Sequence, residues 1–262
     1  MEYKQKITFL VPTLGDREEE ISRLFESLKH QSFTDFNVVV AAQGGFDTVQ
    51  KICSAYSDFF SIKYLPLDNK GLSKARNGGL PFCDGEIIVL SDDDCWYPEN
   101  ATKLIVDKFS QNEIDIALSQ IYDKPNEKLY KQYGLSEQLL TSSFQLLSRS
   151  SIEISFRNHL KEIGFDENFG VGAKFVCCEE IDFLLNAYKN GARIKYFPEI
   201  TVYHIRKALT STKNQIIAKG ALYSKNFGFF VSLLICFRDL IKKKENNFSL
   251  FFKGYRDYKN QQ

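Results

Sequence analysis

The sequence predicts an α/β fold with a mainly parallel central sheet covered by helices on both faces, and three observations carry that prediction. Strand-like and helix-like segments alternate along the first part of the chain. The strand-like runs, among them FLVP, NVVVAA and EIIVL, are apolar throughout, as strands are when both faces of their sheet are covered. With 262 residues and 44% hydrophobic content, the chain is long enough for one large domain or two small ones with a substantial core.

KITFLVPTLGD reads as a buried strand ending in a Pro/Gly loop. Asp16 is then placed to cap a helix with Glu19 three residues on, and Ile21, Leu24, Phe25 and Leu28 fall on one helical face. FNVVVAAQGG repeats the strand and turn, and Val49, Ile52, Cys53 and Tyr56 give a second amphipathic helix. SIKYLPL is a third strand, GLSKARNGGL a short helix with Ser73 as its cap, and EIIVLS a fourth strand. Asn100 is a cap for the helix ATKLIVDKFSQ, and IDIALSQIYD returns as a strand. From Lys124 to about Phe169 strand and helix signals mix and no boundary is legible. EEIDFLLNAYKNG is a helix stopped at Gly191, and ARIKYFPEITVYH reads as strand, bend, strand, ending at His204. The remainder is helical and Phe-rich.

Composition excludes several functions. Lys plus Arg number 34 against 33 Asp plus Glu, a net charge of +1, so no global field points to nucleic acid. Six cysteines without a CxxC pair, three histidines and no Cys/His cluster argue against zinc and for reduced thiols in a cytoplasmic protein. No segment has the length of a membrane span. There is no GxGxxG after the first strand and no P-loop, and Trp96 stands where a DxDx[TV] phosphatase would carry Thr or Val.

The chemistry concentrates in SDDDCWYP, where Asp92, Asp93 and Asp94 follow the fourth strand without a break. Adjacent carboxylates repel, so a cation is expected among them, and hard oxygen donors suit Mg²⁺ or Mn²⁺ completed by water and phosphate. In parallel α/β sheets ligands bind beyond the carboxyl ends of the strands, the rim that PTLGD, AAQGG and the aspartates share. Lys70, Lys74 and Arg76 precede the fourth strand and are placed to reach a diphosphate there.

VPTLGDREEEISRLFESLKHQ, KGLSKARNGGL, EIIVLSDDDCWYP and GFDENFGVGAKFVCCEEIDFLLNAYKNGARIKYFPEITVYH, in this order, resemble the inverting nucleotide-sugar glycosyltransferases of family 2 with the GT-A fold, in particular bacterial enzymes that build surface polysaccharides. The resemblance covers roughly residues 5 to 205. It implies a catalytic domain over 1–205, with a nucleotide-sugar half at about 1–100 and an acceptor half at about 101–205, followed by a helical extension over 206–262.

It also implies roles. Asp92 and Asp94 match the ends of a DxD motif, Asp92 toward the nucleotide and, together with Asp94, on a divalent metal, Mn²⁺ or Mg²⁺, with His204 completing that site. Pro12, Thr13, Gln43, Lys74, Arg76, Asn77 and Asp93 belong to the nucleotide-sugar side. Gln43 stands where many relatives carry an acidic residue, which loosens the inference of the nucleobase, a UDP-sugar being favoured. Glu179 and Glu180 match an acidic pair whose second member is the catalytic base; on this helix Ile181, Leu184, Leu185 and Tyr188 form one apolar stripe, which Glu180 and Asp182 flank and which leaves Glu179 on the outer face opposite Leu184 and Leu185. A Glu in the first turn of a helix is expected to be kept ionised by the helix dipole. Trp96, Phe169 and Gly170 fall on the acceptor side, the acceptor being a saccharide or lipid-linked oligosaccharide. Two other functions are compatible with these residues: a carboxylate-pair glycoside hydrolase, and a non-catalytic sugar-binding or scaffold protein. FGFFVSLLICFRDLIKKK is apolar, then basic, and suits either a membrane surface on the inner face of the cell membrane or a homodimer contact.

Overall fold

The computed structural model describes residues 5–206, 212–243 and 248–260. Its first half follows the alternation closely: β1 (Gln5–Thr13), α1 (Glu18–Lys29), β2 (Phe36–Ala42), α2 (Phe46–Tyr56), β3 (Ser61–Pro66), α3 (Leu72–Gly79), β4 (Gly85–Leu90) and α4 (Ala101–Gln111). β5 (Ile116–Asp123), α5 (Glu179–Lys189) and β9 (Ile194–Tyr203) also match the sequence pattern, and α6 (Lys213–Asn226), α7 (Phe229–Lys243) and α8 (Phe248–Lys259) form the helical tail. The illegible stretch holds three strands of two to four residues, β6 (Lys128–Leu129), β7 (Gln138–Leu139) and β8 (Ile154–Arg157), among short segments of 3-10 helix.

The sheet order is β3-β2-β1-β4-β8-β5-β9-β7, with β6 beside β5. β3, β2, β1 and β4 are parallel, as are β5 and β9. β8 joins these two groups and is antiparallel to both, so the sheet is mixed. The bend expected before His204 is a register shift between β5 and β9 inside one continuous strand.

Side chains of successive strand residues point to opposite faces, and the core divides accordingly. Phe9, Val11, Val38 and Val40 pack with α1, α2 and α4, while Leu10, Val39 and Ile88 join α3, α5 and the C-terminal helices. Leu222, Ile235 and Phe251 of the tail belong to that second cluster, so α6, α7 and α8 share a core with the sheet. No described helix is long and apolar enough to cross a membrane.

Three caps differ from expectation. Arg17, not Asp16, holds the N-cap position of α1 without a side-chain bond, and Glu18, Glu19 and Glu20 supply the negative charge that a helix start favours. Ser73 lies inside α3 and donates to the Phe169 carbonyl at 2.6 Å. Asn100 holds the N-cap position of α4, but its side chain makes no cap bond.

The loops after β1 and β2 meet backbone to backbone. A Cβ on Gly15 would lie 2.5 Å from the Gly44 carbonyl oxygen, and one on Gly45, at φ +49°, 2.2 Å from that of Gly15. Only glycines permit that approach, which sets the PTLGD and AAQGG loops side by side on the rim beyond β4.

Candidate active site

The question of what balances Asp92, Asp93 and Asp94 has an answer within the chain. Asp92 accepts from Arg76 Nη2 at 3.0 Å and from Ser151 Oγ at 3.3 Å. Asp93 accepts from Thr13 Oγ1 at 2.7 Å and Arg17 Nη1 at 2.9 Å. Asp94 meets the same Arg17 nitrogen at 2.8 Å and His204 Nε2 at 3.1 Å, and its carbonyl accepts from Arg23 at 2.9 Å. Two arginines thus offset part of the charge of the trio, Arg17 between Asp93 and Asp94 and Arg76 at Asp92. Burial pushes the Asp93 carboxyl above its usual range, against the pull of Thr13 and Arg17.

Arg76 reaches further. Its Nη1 lies 3.0 Å from Glu179 Oε1, 103 residues away in sequence, so one wholly buried guanidinium joins the end of β4 to the start of α5. Arg76 thus serves the carboxylates, whereas Lys74 of the same helix is exposed.

Glu180 follows directly. The residue is half-buried, and burial, then the neighbouring Glu179 charge, raise its carboxyl well above the ordinary carboxylate range. The helix start does not prevail here as expected, because desolvation and a like charge outweigh the dipole. Cys178, at φ +80°, holds the N-cap position, with its Sγ 3.3 Å from that of Cys177.

Several expected site residues have other duties. Asp182 is buried and bonded to Lys225 at 2.7 Å and Asn226 at 2.9 Å, tying α5 to α6 rather than facing the rim. Glu179, expected on an outer face, is the buried partner of Arg76. Asn77 braces the loop at 165–167 through Phe165 and Glu167. Gln43 holds the loop before α3, bonding the Asn69 carbonyl and accepting from Gly71 N. Pro12 is buried in β1 opposite Ala41.

Phe169 is wholly buried against Phe175 and Tyr258, which removes its side chain from any acceptor surface. Gly170, at φ +109°, lies against Ser73 and Glu179. Trp96 belongs to the opposite face of the sheet, paired with Tyr203 under the Arg23 guanidinium at 4.0 Å. There it lines an open cleft of about 400 Å³ with Glu26, His30 and Lys124. The three residues expected on the acceptor side are thus not brought together.

Sequence reasoning missed Arg17, Arg23 and Ser151. Arg17 follows the rim loop PTLGD immediately, which places it near the rim without showing its partners; Ser151 lies in the illegible segment.

Among the described residues no group of three or more His, Cys, Asp and Glu side chains forms a metal cage. Asp94 and His204 nevertheless fit a divalent ion that takes one or two protein ligands. Their Oδ1 and Nε2 are 3.1 Å apart, close to the ~3 Å edge of an octahedron with bonds of about 2.1 Å. The carboxylate suits Mn²⁺ or Mg²⁺, and the imidazole adds a nitrogen ligand of the kind transition metals take. Among the described residues, His204 Nδ1 is also buried without a hydrogen-bond partner.

Carboxylates and arginines gathered beyond the carboxyl ends of parallel strands define an α/β protein whose rim suits a phosphate-bearing ligand. The chain belongs to glycosyl transferase family 2, whose family model matches residues 8–171. It is 28% identical over 163 residues to the glycosyltransferase GlyA of Streptococcus pneumoniae, covering 55% of this chain and 23% of that protein. The poly(ribitol-phosphate) beta-N-acetylglucosaminyltransferase TarS of Staphylococcus aureus is 24% identical over 210 residues, 77% of this chain and 36% of TarS. The structure of TarS residues 1–349 in complex with UDP superposes with a TM-score of 0.65 at 22% identity, covering 84% of this chain and 65% of that one. A mannosyltransferase of Pyrobaculum calidifontis, in complex with GDP-Man and Mn²⁺, superposes with a TM-score of 0.61 at 15% identity, covering 89% and 65%. The fold is therefore shared with both solved proteins, and the chain spans about a quarter of GlyA.

Proposed function

We propose that this chain transfers a sugar with inversion from a nucleoside-diphosphate sugar, a UDP-sugar first among them, to a hydroxyl of a saccharide or lipid-linked acceptor of a cell-surface polymer. One observation carries the reading: Arg76 joins Asp92 on the acidic rim to Glu179 at the start of α5, the same helical turn that carries Glu180. The UDP complex of TarS and its poly(ribitol-phosphate) name support the nucleotide and the polymer. The GDP-Man and Mn²⁺ complex supports a divalent ion.

In this scheme Glu180 takes the proton of the acceptor hydroxyl as that oxygen bonds to the anomeric carbon. The bond from that carbon to the diphosphate breaks on the opposite face, and the electron pair leaves with the diphosphate. A carboxylate lifted toward the working pH is a stronger base there than an ordinary one. Asp94 and His204 would hold the ion, which supplies Lewis-acid stabilisation to the diphosphate. The Arg17 side chain is 41% exposed, and it can exchange Asp93 and Asp94 for phosphate oxygens.

The test is a thermal-shift panel of UDP, GDP, dTDP and CMP with and without Mn²⁺. UDP is expected to stabilise the wild type, more so with Mn²⁺, and Asp94→Ala and His204→Ala to remove the Mn²⁺ increment. A wild type that no nucleotide stabilises in either condition contradicts the proposal.

A further inference from the structure

The C-terminal helices carry a charge opposite to that of the rest of the chain. Residues 206–262 hold 12 of the 34 lysines and arginines but 3 of the 33 aspartates and glutamates, a net charge of +9; residues 1–205 are left at −8. The near-neutral total conceals this asymmetry, the kind that marks a segment meeting an anionic surface.

The same segment exposes an apolar face. On α7, Phe230 is 78% exposed, Leu234 69% and Phe237 47%, with Phe229 and Val231 beside them, while Ser232, Ile235 and Cys236 are buried on the inner side. Phe230, Leu234 and Phe237 follow at i, i+4 and i+7, so they share one stripe. Elsewhere the exposed large apolar side chains are scattered along the chain. The lysines of the notable run at 242–244 contribute to the charge, but their side chains lie outside the described residues.

We propose that α7 lays this stripe into the headgroup region of an anionic lipid bilayer, with the basic charge of the C-terminal helices holding the protein there. An apolar face with basic surroundings lies in the interface plane rather than crossing it, and each Lys or Arg near an anionic leaflet adds attraction. The competing occupant, a second copy of the chain, would bring a +9 segment against another +9 segment and is disfavoured by that repulsion.

Docking also has a geometric consequence. Lys225 of α6 bonds both Asp182 of α5 and Asp166, Phe227 stacks on Phe144, and Tyr258 of α8 packs on Phe169. The basic helices thus adjoin the helix that carries Glu180, which suits an acceptor presented at the lipid surface. That consequence rests on the proposed role of Glu180; the docking itself does not.

The experiment is co-sedimentation of the full chain with vesicles of phosphatidylcholine alone or mixed with phosphatidylglycerol. Binding is expected to the mixed vesicles, to fall as salt rises, and to be much weaker to phosphatidylcholine. Phe230→Ser with Leu234→Ser should lower the partition coefficient at least about tenfold, since two large apolar groups lose their transfer from water. The melting temperature should hold because both side chains are exposed. A wild type that stays in solution with mixed vesicles, or a double variant that binds as well as the wild type, overturns the proposal. So does a dimer in light scattering that the double variant dissociates without any vesicle binding. Nucleotide binding measured without vesicles reports on the catalytic reading alone, so the two failures are distinguishable.

Discussion

Replacing Arg76 with alanine should loosen the joint between the two halves of the rim. The guanidinium is 0% exposed and lies 3.0 Å from both Asp92 and Glu179. Truncation leaves Glu179 as an uncompensated buried charge with Glu180 beside it. Removing one partner of a buried pair costs roughly 3–5 kcal/mol. The Asp92 side chain is 33% exposed, so water recovers part of its share and the lower end, about 3 kcal/mol, is expected. For a chain of this size each kcal/mol moves the midpoint by roughly 2–4 °C, so Arg76→Ala should melt roughly 6–12 °C lower. Thermal and urea unfolding would be followed by circular dichroism and by Trp96, the single tryptophan, which reports from the opposite face of the sheet. Adding Glu179→Gln should restore part of the loss by removing the orphaned charge. An Arg76→Ala protein that melts with the wild type, or a double variant worse than the single, refutes the view that this ion triad joins β4 to α5.

Other consequences can be checked on the same protein. A Cβ on Gly254 would lie 1.9 Å from the Ile217 carbonyl oxygen, so Gly254→Ala should prise α8 from α6; overpacking of this kind costs roughly 1–3 kcal/mol. Earlier protease cleavage within 248–260 would show it, and an unchanged cleavage pattern would contradict the close crossing. The raised Glu180 carboxyl favours the protonated fold, so its stabilising contribution is complete below the unfolded-state value and is lost as pH rises through the folded one. Glu180→Gln should therefore flatten that decline and be more stable than the wild type at alkaline pH, and parallel curves in urea titrations would contradict it. The same shift predicts an activity that rises with pH until Glu180 is ionised, with its midpoint above the ordinary carboxylate range; a profile already flat at mildly acidic pH would remove Glu180 from the rate.

The helices and strands legible in the sequence were those whose apolar periodicity is local. Ile21, Leu24, Phe25 and Leu28 announce α1, and all four are buried. The segment from Lys124 to Phe169 was illegible because its strands run for two to four residues, too short for a period, and β8 is fixed by partners on β4 and β5 far away in sequence. For the site, the acidic trio and the Glu pair were visible as charge clusters, but their partners were not. Arg17 reads as one charge in a run of charged residues, and nothing local shows that it reaches Asp93 and Asp94. Phe169 looked like part of a surface loop because the tail helix that buries it, through Tyr258, lies at the other end of the sequence.

In the proposed reaction Glu180 takes the acceptor proton and is not needed to bind the donor. The most direct measurement compares wild type and Glu180→Gln for UDP-sugar affinity by calorimetry and for UDP release with acceptor present, in Mn²⁺. Affinity should stay within a few-fold while turnover falls on the order of 10²–10⁴-fold, the usual worth of a positioned base. Turnover by Glu180→Gln equal to that of the wild type would contradict it.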